Sequence, residues 1–179
     1  MVNRSLRHGE IIRLREGLYC LARSFRRSEP HPFVLAAAIH GPSHVSLETA
    51  LAYHGLIPEA VQQVASVTSR RSREFQTPMG LFTYRRVPSS TARAGVKAIG
   101  VEKNEWAFVA TPIRAIADLI YIRKVRWEED GMAFLTESMR MEKEDLVKLD
   151  MKTLEDILSG LRSRRTVVYL THMRRELGP

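Results

Sequence analysis

A chain of 179 residues is sized for one domain, or one domain with an appendage, and 44% hydrophobic with 27% charged residues is a globular composition. No apolar run approaches the ~20 residues that cross a bilayer, the opening "MVNRSLRHGE" lacks the apolar stretch of a secretory signal, and the single cysteine, Cys20, excludes an internal disulfide; the expectation is a soluble, cytoplasmic protein with no membrane partner. The formal net charge of +8 lies wholly in residues 1–100, which hold 14 Lys+Arg against 6 Asp+Glu, whereas residues 101–179 hold 14 of each, so the amino-terminal part is a nucleic-acid candidate.

In chain order, "GEIIRLREGLYCLA" (9–22) predicts a β-hairpin: a run centred on Ile11 and Ile12, a turn over Arg15, Glu16 and Gly17, and a return from Leu18 to Leu21. Gly17 supplies the positive φ that the turn requires. Cys20 falls in the apolar alternation and reads as a buried, inert thiol. The basic, proline-punctuated "RSFRRSEPHP" reads as a linker or the approach to a helix. "PFVLAAAIHG" then predicts a helix with Pro32 in its first turn and a stop at Gly41 and Pro42. "SLETALAYHGLIPE" (46–59) predicts another, with Ser46 as N-cap and Glu48 complementing the dipole. Leu47, Ala50, Leu51 and His54 fall on one face, Gly55 takes the left-handed position past the end, Leu56 packs back, and Pro58 prevents continuation.

Beyond this point the period changes from helical to alternating. "VASVTS" (64–69), "LFTYRRV" (81–87) and "EWAFVAT" (105–111) read as strands, the first two forming a hairpin or neighbouring pair joined by a basic connection that holds Arg70, Arg71 and Arg73. After Pro112, "IRAIADLIYI" places Ile113, Ile116, Ala117, Ile120 and Tyr121 on one buried helical face. The remainder is helical by pattern, with Gly160 as a break and "TVVYLTHMRREL" as a last helix despite its β-branched start. Residues 102–160 carry 9 basic and 13 acidic side chains, which suits them poorly to DNA.

Motifs for chemistry are scarce. There is no phosphate-binding Gly-rich loop, no dinucleotide fingerprint, no H-E-x-x-H and no C-x-x-C pair, so the reading is of a protein without catalytic residues, cofactor or metal. His40 and His44 stand four apart, but Gly41 and Pro42 interrupt them, and exposed loop histidines are the plainer reading. A metal-dependent nuclease would need converging carboxylates and a lysine. Glu102 with Lys103, and the cluster Glu142, Lys143, Glu144 and Asp145, have those residue types, although the second reads equally as a salt-bridged helix face. His54 in a last helical turn reads as structural. Arg4, Arg7, Arg13 and Arg15 lie on or beside the hairpin, a shape that either runs along phosphates or is simply a solvated face. Of the 28 basic residues 22 are Arg, which suits bidentate phosphate contacts and is equally produced by genomic base composition.

The succession "GEIIRLREGLYCL", "HVSLETALAYHGLIPE", "VASVTSRRSREFQTPMGLFTYRRV" and "WAFVATPIRAIADLI" resembles the AbiEi-type antitoxins of bacterial type IV toxin–antitoxin systems, in the family's order and over residues 9–122. The phrase around Ser46, Ala50, Leu51, Gly55, Leu56 and Pro58 is its most specific part. The resemblance implies an amino-terminal winged helix-turn-helix that binds operator DNA and represses its operon, and a carboxyl domain that counteracts a nucleotidyltransferase-like toxin, with or without direct contact. It makes "GEIIRLREGLY" a wing, with Arg13 and Arg15 on phosphates. Two departures stand out: Gly9 comes so early that "NRSL" occupies the place of a recognition helix's end, so that either the start is truncated or the protein keeps a wing without its reader, and the family's "PEKAL" phrase becomes "TPIRAIADL", with Arg114 where Lys is common. The combined expectation is an α+β chain. Residues 1–25 would be a partial winged-helix wing, and residues 26–179 a mixed α/β antitoxin-like domain with helices in 32–55, strands in 64–111 and helices in 112–179. Its DNA contacts would come from Arg4, Arg7, Arg13, Arg15, Arg70, Arg71 and Arg73. The alternatives are an interaction module that has lost DNA reading and, behind it, the nuclease.

Overall fold

Gly17, at φ +71°, turns strand β1 (Ile11–Arg15) back onto β2 (Leu18–Leu21) in the computed structural model, which describes residues 2–58, 62–102 and 105–178. The hairpin is antiparallel, with Arg13 opposite Tyr19 and a bulge before Arg15. A short helix α1 (Val2–Arg7) precedes it and packs on β1. Leu14 is buried and belongs to the same hydrophobic core as the rest of the chain. Cys20 is only half-buried, with Arg26 Nη1 3.8 Å from its sulfur, so the expected buried thiol is corrected. Cys20 packs at the margin of the core together with Ile12 and Leu18, and Arg26 of the basic linker covers its sulfur.

Six further strands form one mixed sheet in the order β5 (Arg73–Thr77), β6 (Gly80–Arg86), β4 (Gln63–Thr68), β3 (Ser43–Val45), β8 (Glu105–Ala110), β7 (Val96–Glu102). The two helices expected within 32–55 are present as α2 (Pro32–Ile39) and α3 (Leu47–Tyr53); between them lies β3, an additional strand that joins the two halves of the sheet. Three residues are too few for any alternation to show. Of the two arrangements expected for the strands at 64–69 and 81–87, a hairpin or a neighbouring pair, they form the second: they are parallel neighbours, because the basic connection itself contains β5, which turns at Gly80 to pair antiparallel with β6. The α+β class stands as expected.

Residues paired across strands share a face, so Val45, Ser66 and Tyr84 line one side of the sheet. The Tyr84 hydroxyl donates to Ala36 O at 2.7 Å, which places α2 on that side. His44 and Ser46 project from the other side and reach Asp118 of α4 (Pro112–Arg123). Pro112 starts α4 as anticipated, but the residues from Ile113 to Ile120 are all buried, not one stripe of them. The helix is enclosed by α3, α7 (Leu154–Gly160) and α8 (Arg164–Leu177). Its large aliphatic residues each contribute ~1.5–3 kcal/mol by leaving water, and they carry Arg114 and Asp118 into the interior with them.

The carboxyl-terminal run is helical but broken. A short α5 (Trp127–Asp130) is followed by a π-helical turn (Phe134–Ser138), α6 (Lys143–Val147), α7 and α8. Gly160 does end α7: a Cβ there would collide with the Thr91 and Ser89 side chains. The loop that precedes β7 is pinned at the same place, with Ser90 N donating to Gly160 O at 3.1 Å and Thr91 Oγ1 to Asp156 O at 2.8 Å.

Candidate nucleic-acid interface

Arg70, Arg71 and Arg73 sit at the start of β5, and the pairing of Arg73 with Tyr84 puts Arg85 and Arg86 at the same end of the sheet. All five are exposed. Arg86 N donates to Ser72 Oγ at 3.0 Å, which ties the two basic segments together. Among the described residues none of the five side chains is in an ion pair with a carboxylate. They are uncompensated positive charge.

His40, at the end of α2, is the point on which several of them converge. Its ring meets Tyr84 edge-on at 5.0 Å and lies 6.0 Å from Phe75. Burial lowers its pKa below the usual imidazole value, a hydrogen bond with the Arg71 backbone opposes this, and the charges of Arg70, Arg73 and Arg15 lower it further. The charges of three arginines thus act on one imidazole. Of the arginines expected at DNA, Arg15, Arg70, Arg71 and Arg73 thus come together, from opposite ends of the basic half.

Arg15 is partly committed elsewhere. Its Nε donates to Ile39 O at 2.6 Å and one Nη1 proton to Glu16 O at 2.7 Å, so it caps the last turn of α2. Fewer donors remain for a phosphate than the wing reading supposed. Arg13 is exposed on β1, and Arg4 and Arg7 lie three apart on α1, also exposed. None of these three takes part in the convergence on His40. Arg85 and Arg86 were missed by sequence reasoning, although the doubled arginine ending "LFTYRRV" was the signal.

A second polar group lies at the centre of the molecule. Asp118 and Arg114 are 0% and 1% exposed, with Arg114 Nε donating to Asp118 Oδ1 at 3.0 Å. Ser46 Oγ donates to Asp118 Oδ2 at 2.8 Å, and His44 Nε2 lies 3.4 Å from the same oxygen. Burial pushes the Asp118 carboxyl up, but Arg114, His44 and Ser46 together outweigh it and hold the group below the usual carboxylate range. Ser46 occupies the N-cap position of α3 as expected, yet its side chain makes no cap hydrogen bond. It is spent on Asp118. Serine and histidine both address the carboxylate rather than each other, so this is a structural brace and not a nucleophile–base pair.

The remaining candidates are dispersed. His54 is exposed rather than on the buried face, and its Nε2 lies 2.8 Å from Ala110 O; Gly55 takes the left-handed position at φ +73° and Leu56 N closes back on Leu51 O at 2.9 Å. Glu142, Lys143 and Glu144 are exposed and Asp145 pairs with Lys148 at 3.2 Å, a solvated helix face. Lys103 and the side chain of Glu102 lie outside the described residues. Among the described residues no group of three His, Cys, Asp or Glu could hold a metal ion, and no helix is long and apolar enough to cross a membrane. Comparison with protein-family models and with curated proteins finds no match for the chain.

Proposed function

We propose that the chain is a cytoplasmic, antitoxin-like transcriptional regulator, which binds the operator of its own operon through the basic end of the sheet and counteracts a nucleotidyltransferase-like toxin. The observation that supports this best is the meeting of Arg15, Arg70, Arg71 and Arg73, with Arg85 and Arg86 beside them, on one exposed surface without carboxylate partners. Such a surface neutralises phosphates and releases their counterions, which gives affinity without sequence reading; the hairpin with Arg13, and α1 with Arg4 and Arg7, would add further backbone contacts. The log of the affinity of the full chain for its own promoter DNA should fall with log salt at roughly −0.9 per phosphate contact. A salt-independent affinity, or no binding, overturns the proposal.

A second reading, an interaction module acting only on a protein partner, draws on a different observation. Trp106 and Phe108 on β8 are 65% and 57% exposed, side by side on one face of the strand. Exposed aromatic pairs of this kind mark protein contacts. Toxin neutralisation that survives removal of residues 1–25 and loss of the basic cluster favours this reading.

A further inference from the structure

Between the start of β3, the loop before β7 and the outer face of β8 lies a cavity of about 440 Å³. That volume is in the range of small-molecule sites. Val67, Val87, Val96 and Phe108 give it apolar walls, and Arg114 is part of its floor. The hydrogen bonds of Arg114 account for most of its donors: Nε goes to Asp118, and Nη1 to Ala94 O at 3.0 Å and Thr91 O at 3.4 Å. Among the described residues Nη2 makes no hydrogen bond, and it is not one of the sealed polar atoms left without a partner, so it keeps access to the cavity. A guanidinium edge whose N–H groups remain accessible at an apolar cavity is a ready donor for an anionic head group.

The charge around it has one sign. Asp118 compensates Arg114 from behind, no carboxylate lines the cavity among the described residues, and the exposed Arg93 stands at its rim. We propose that this cavity binds a small organic anion, with one carboxylate or phosphate oxygen on Nη2 of Arg114 and a ring-sized apolar body between the valines and Phe108. Both Nε and Nη1 are already engaged, so the head group is held through the one remaining nitrogen, end-on rather than as a two-pronged pair. The site stands independently of DNA binding, since none of its lining residues is among the arginines around His40.

The test is a titration of the full-length protein, followed by amide chemical shifts, with benzoate, phenyl phosphate and the neutral benzyl alcohol. At least one anion should saturate and move the signals of His44, Arg93 and Phe108, and comparison of the two anions identifies the head group. Replacing the exposed rim charge, Arg93→Gln, should weaken the anion roughly fivefold, as loss of one solvent-exposed charge contact does. Ala37→Trp, at an exposed α2 position that lines the cavity, should abolish binding while the unliganded spectrum stays dispersed. No saturation by either anion, equal binding of benzyl alcohol, or undiminished binding in folded Ala37→Trp overturns the proposal.

Discussion

The two edges of the six-stranded sheet have opposite surface chemistry. At the β5–β6 edge Arg73, Arg85 and Arg86 are exposed, with Arg70 and Arg71 just before them, and Glu74 is the exposed carboxylate among the described residues of β5 and β6. At the β8–β7 edge the exposed aromatic side chains are Trp106 and Phe108, opposite the exposed Gly100 and Ala98, with Lys97 also exposed on β7. The backbone hydrogen-bonding is the same kind of antiparallel pairing in both. What differs is which residues fill the outward positions, and on the function proposed above each edge would carry its own partner, a polyanion on one and an apolar protein surface on the other. The halves meet through β3, three residues long, and through the brace that β3 and α4 form at Asp118.

That shared centre yields the largest predicted effect. Asp118→Ala leaves Arg114 buried without its counter-charge and should cost about 3–5 kcal/mol in urea unfolding, as breaking one partner of a buried pair does. Both edges should then fail together. The pH dependence has a defined sign: the folded carboxyl is held below its unfolded value, so its contribution is present above the ordinary carboxylate pKa and is lost as pH falls through the folded one. An Asp118→Ala protein as stable as the parent would show that the edges do not depend on a common brace.

Next in size is the separation of the edges. Arg70→Gln with Arg73→Gln removes two exposed charges that have no structural partner. At 0.1 M salt the pair should lower DNA affinity about sixtyfold and reduce the salt slope by about 1.8, if each arginine meets one phosphate. Stability should hold within ~0.5 kcal/mol, the usual range for such surface changes. Trp106→Ser with Phe108→Ser should do the reverse, abolishing toxin neutralisation while promoter binding is kept. Loss of both activities in either folded double variant breaks the comparison.

The legibility of this layout in the sequence follows from length and periodicity. The hairpin, α2, β4, β6, β8 and the start of α4 were visible because each carries several periods of its pattern or a clear stop such as Gly41 or Gly55. β3 was not, since Ser43, His44 and Val45 are too short to alternate, and β5 was hidden because Arg73, Glu74 and Gln76 are exposed on an edge strand. The arginines were recognisable as residue type but not as a cluster: Arg15 and Arg70 are far apart in sequence, and only the packing of β1 against β5 brings the two regions together. The Asp118 brace was invisible for the same reason. Ser46 read as a cap and Arg114 as a family variation, and nothing in spacing says that both meet one buried carboxylate.

A smaller effect is expected near the aromatic edge. Gly55 adopts φ +73° with open space where a Cβ would be placed, so Gly55→Ala pays only for the backbone conformation, ~1 kcal/mol. Thermal unfolding should register it while the DNA salt slope is unchanged. His54→Gln should alter neither, because an amide N–H can replace the ring's bond to Ala110 O. Loss of DNA binding or of neutralisation in a folded His54→Gln protein would assign that histidine a role the fold does not suggest.

The finest distinction lies in His40, at the opposite edge. Its folded pKa is below the ordinary imidazole value, so as pH falls the unfolded chain takes up a proton before the folded one does. The contribution of His40 is thus complete above the unfolded value of ~6.5 and diminishes as pH drops towards the folded one. Part of the lowering comes from Arg70, Arg73 and Arg15, and a phosphate seated among them would offset those charges. The His40 titration followed by NMR should therefore move upward when a short duplex is added, and promoter affinity should rise modestly as pH falls from 7 towards 6 in the parent but not in His40→Gln. The burial part of the shift would remain, because the duplex does not alter the contacts with Tyr84 and Phe75. A titration curve indifferent to DNA would place the phosphates away from this histidine, on Arg4, Arg7 and Arg13 instead, and would move the DNA-binding surface from the edge of the sheet to the hairpin.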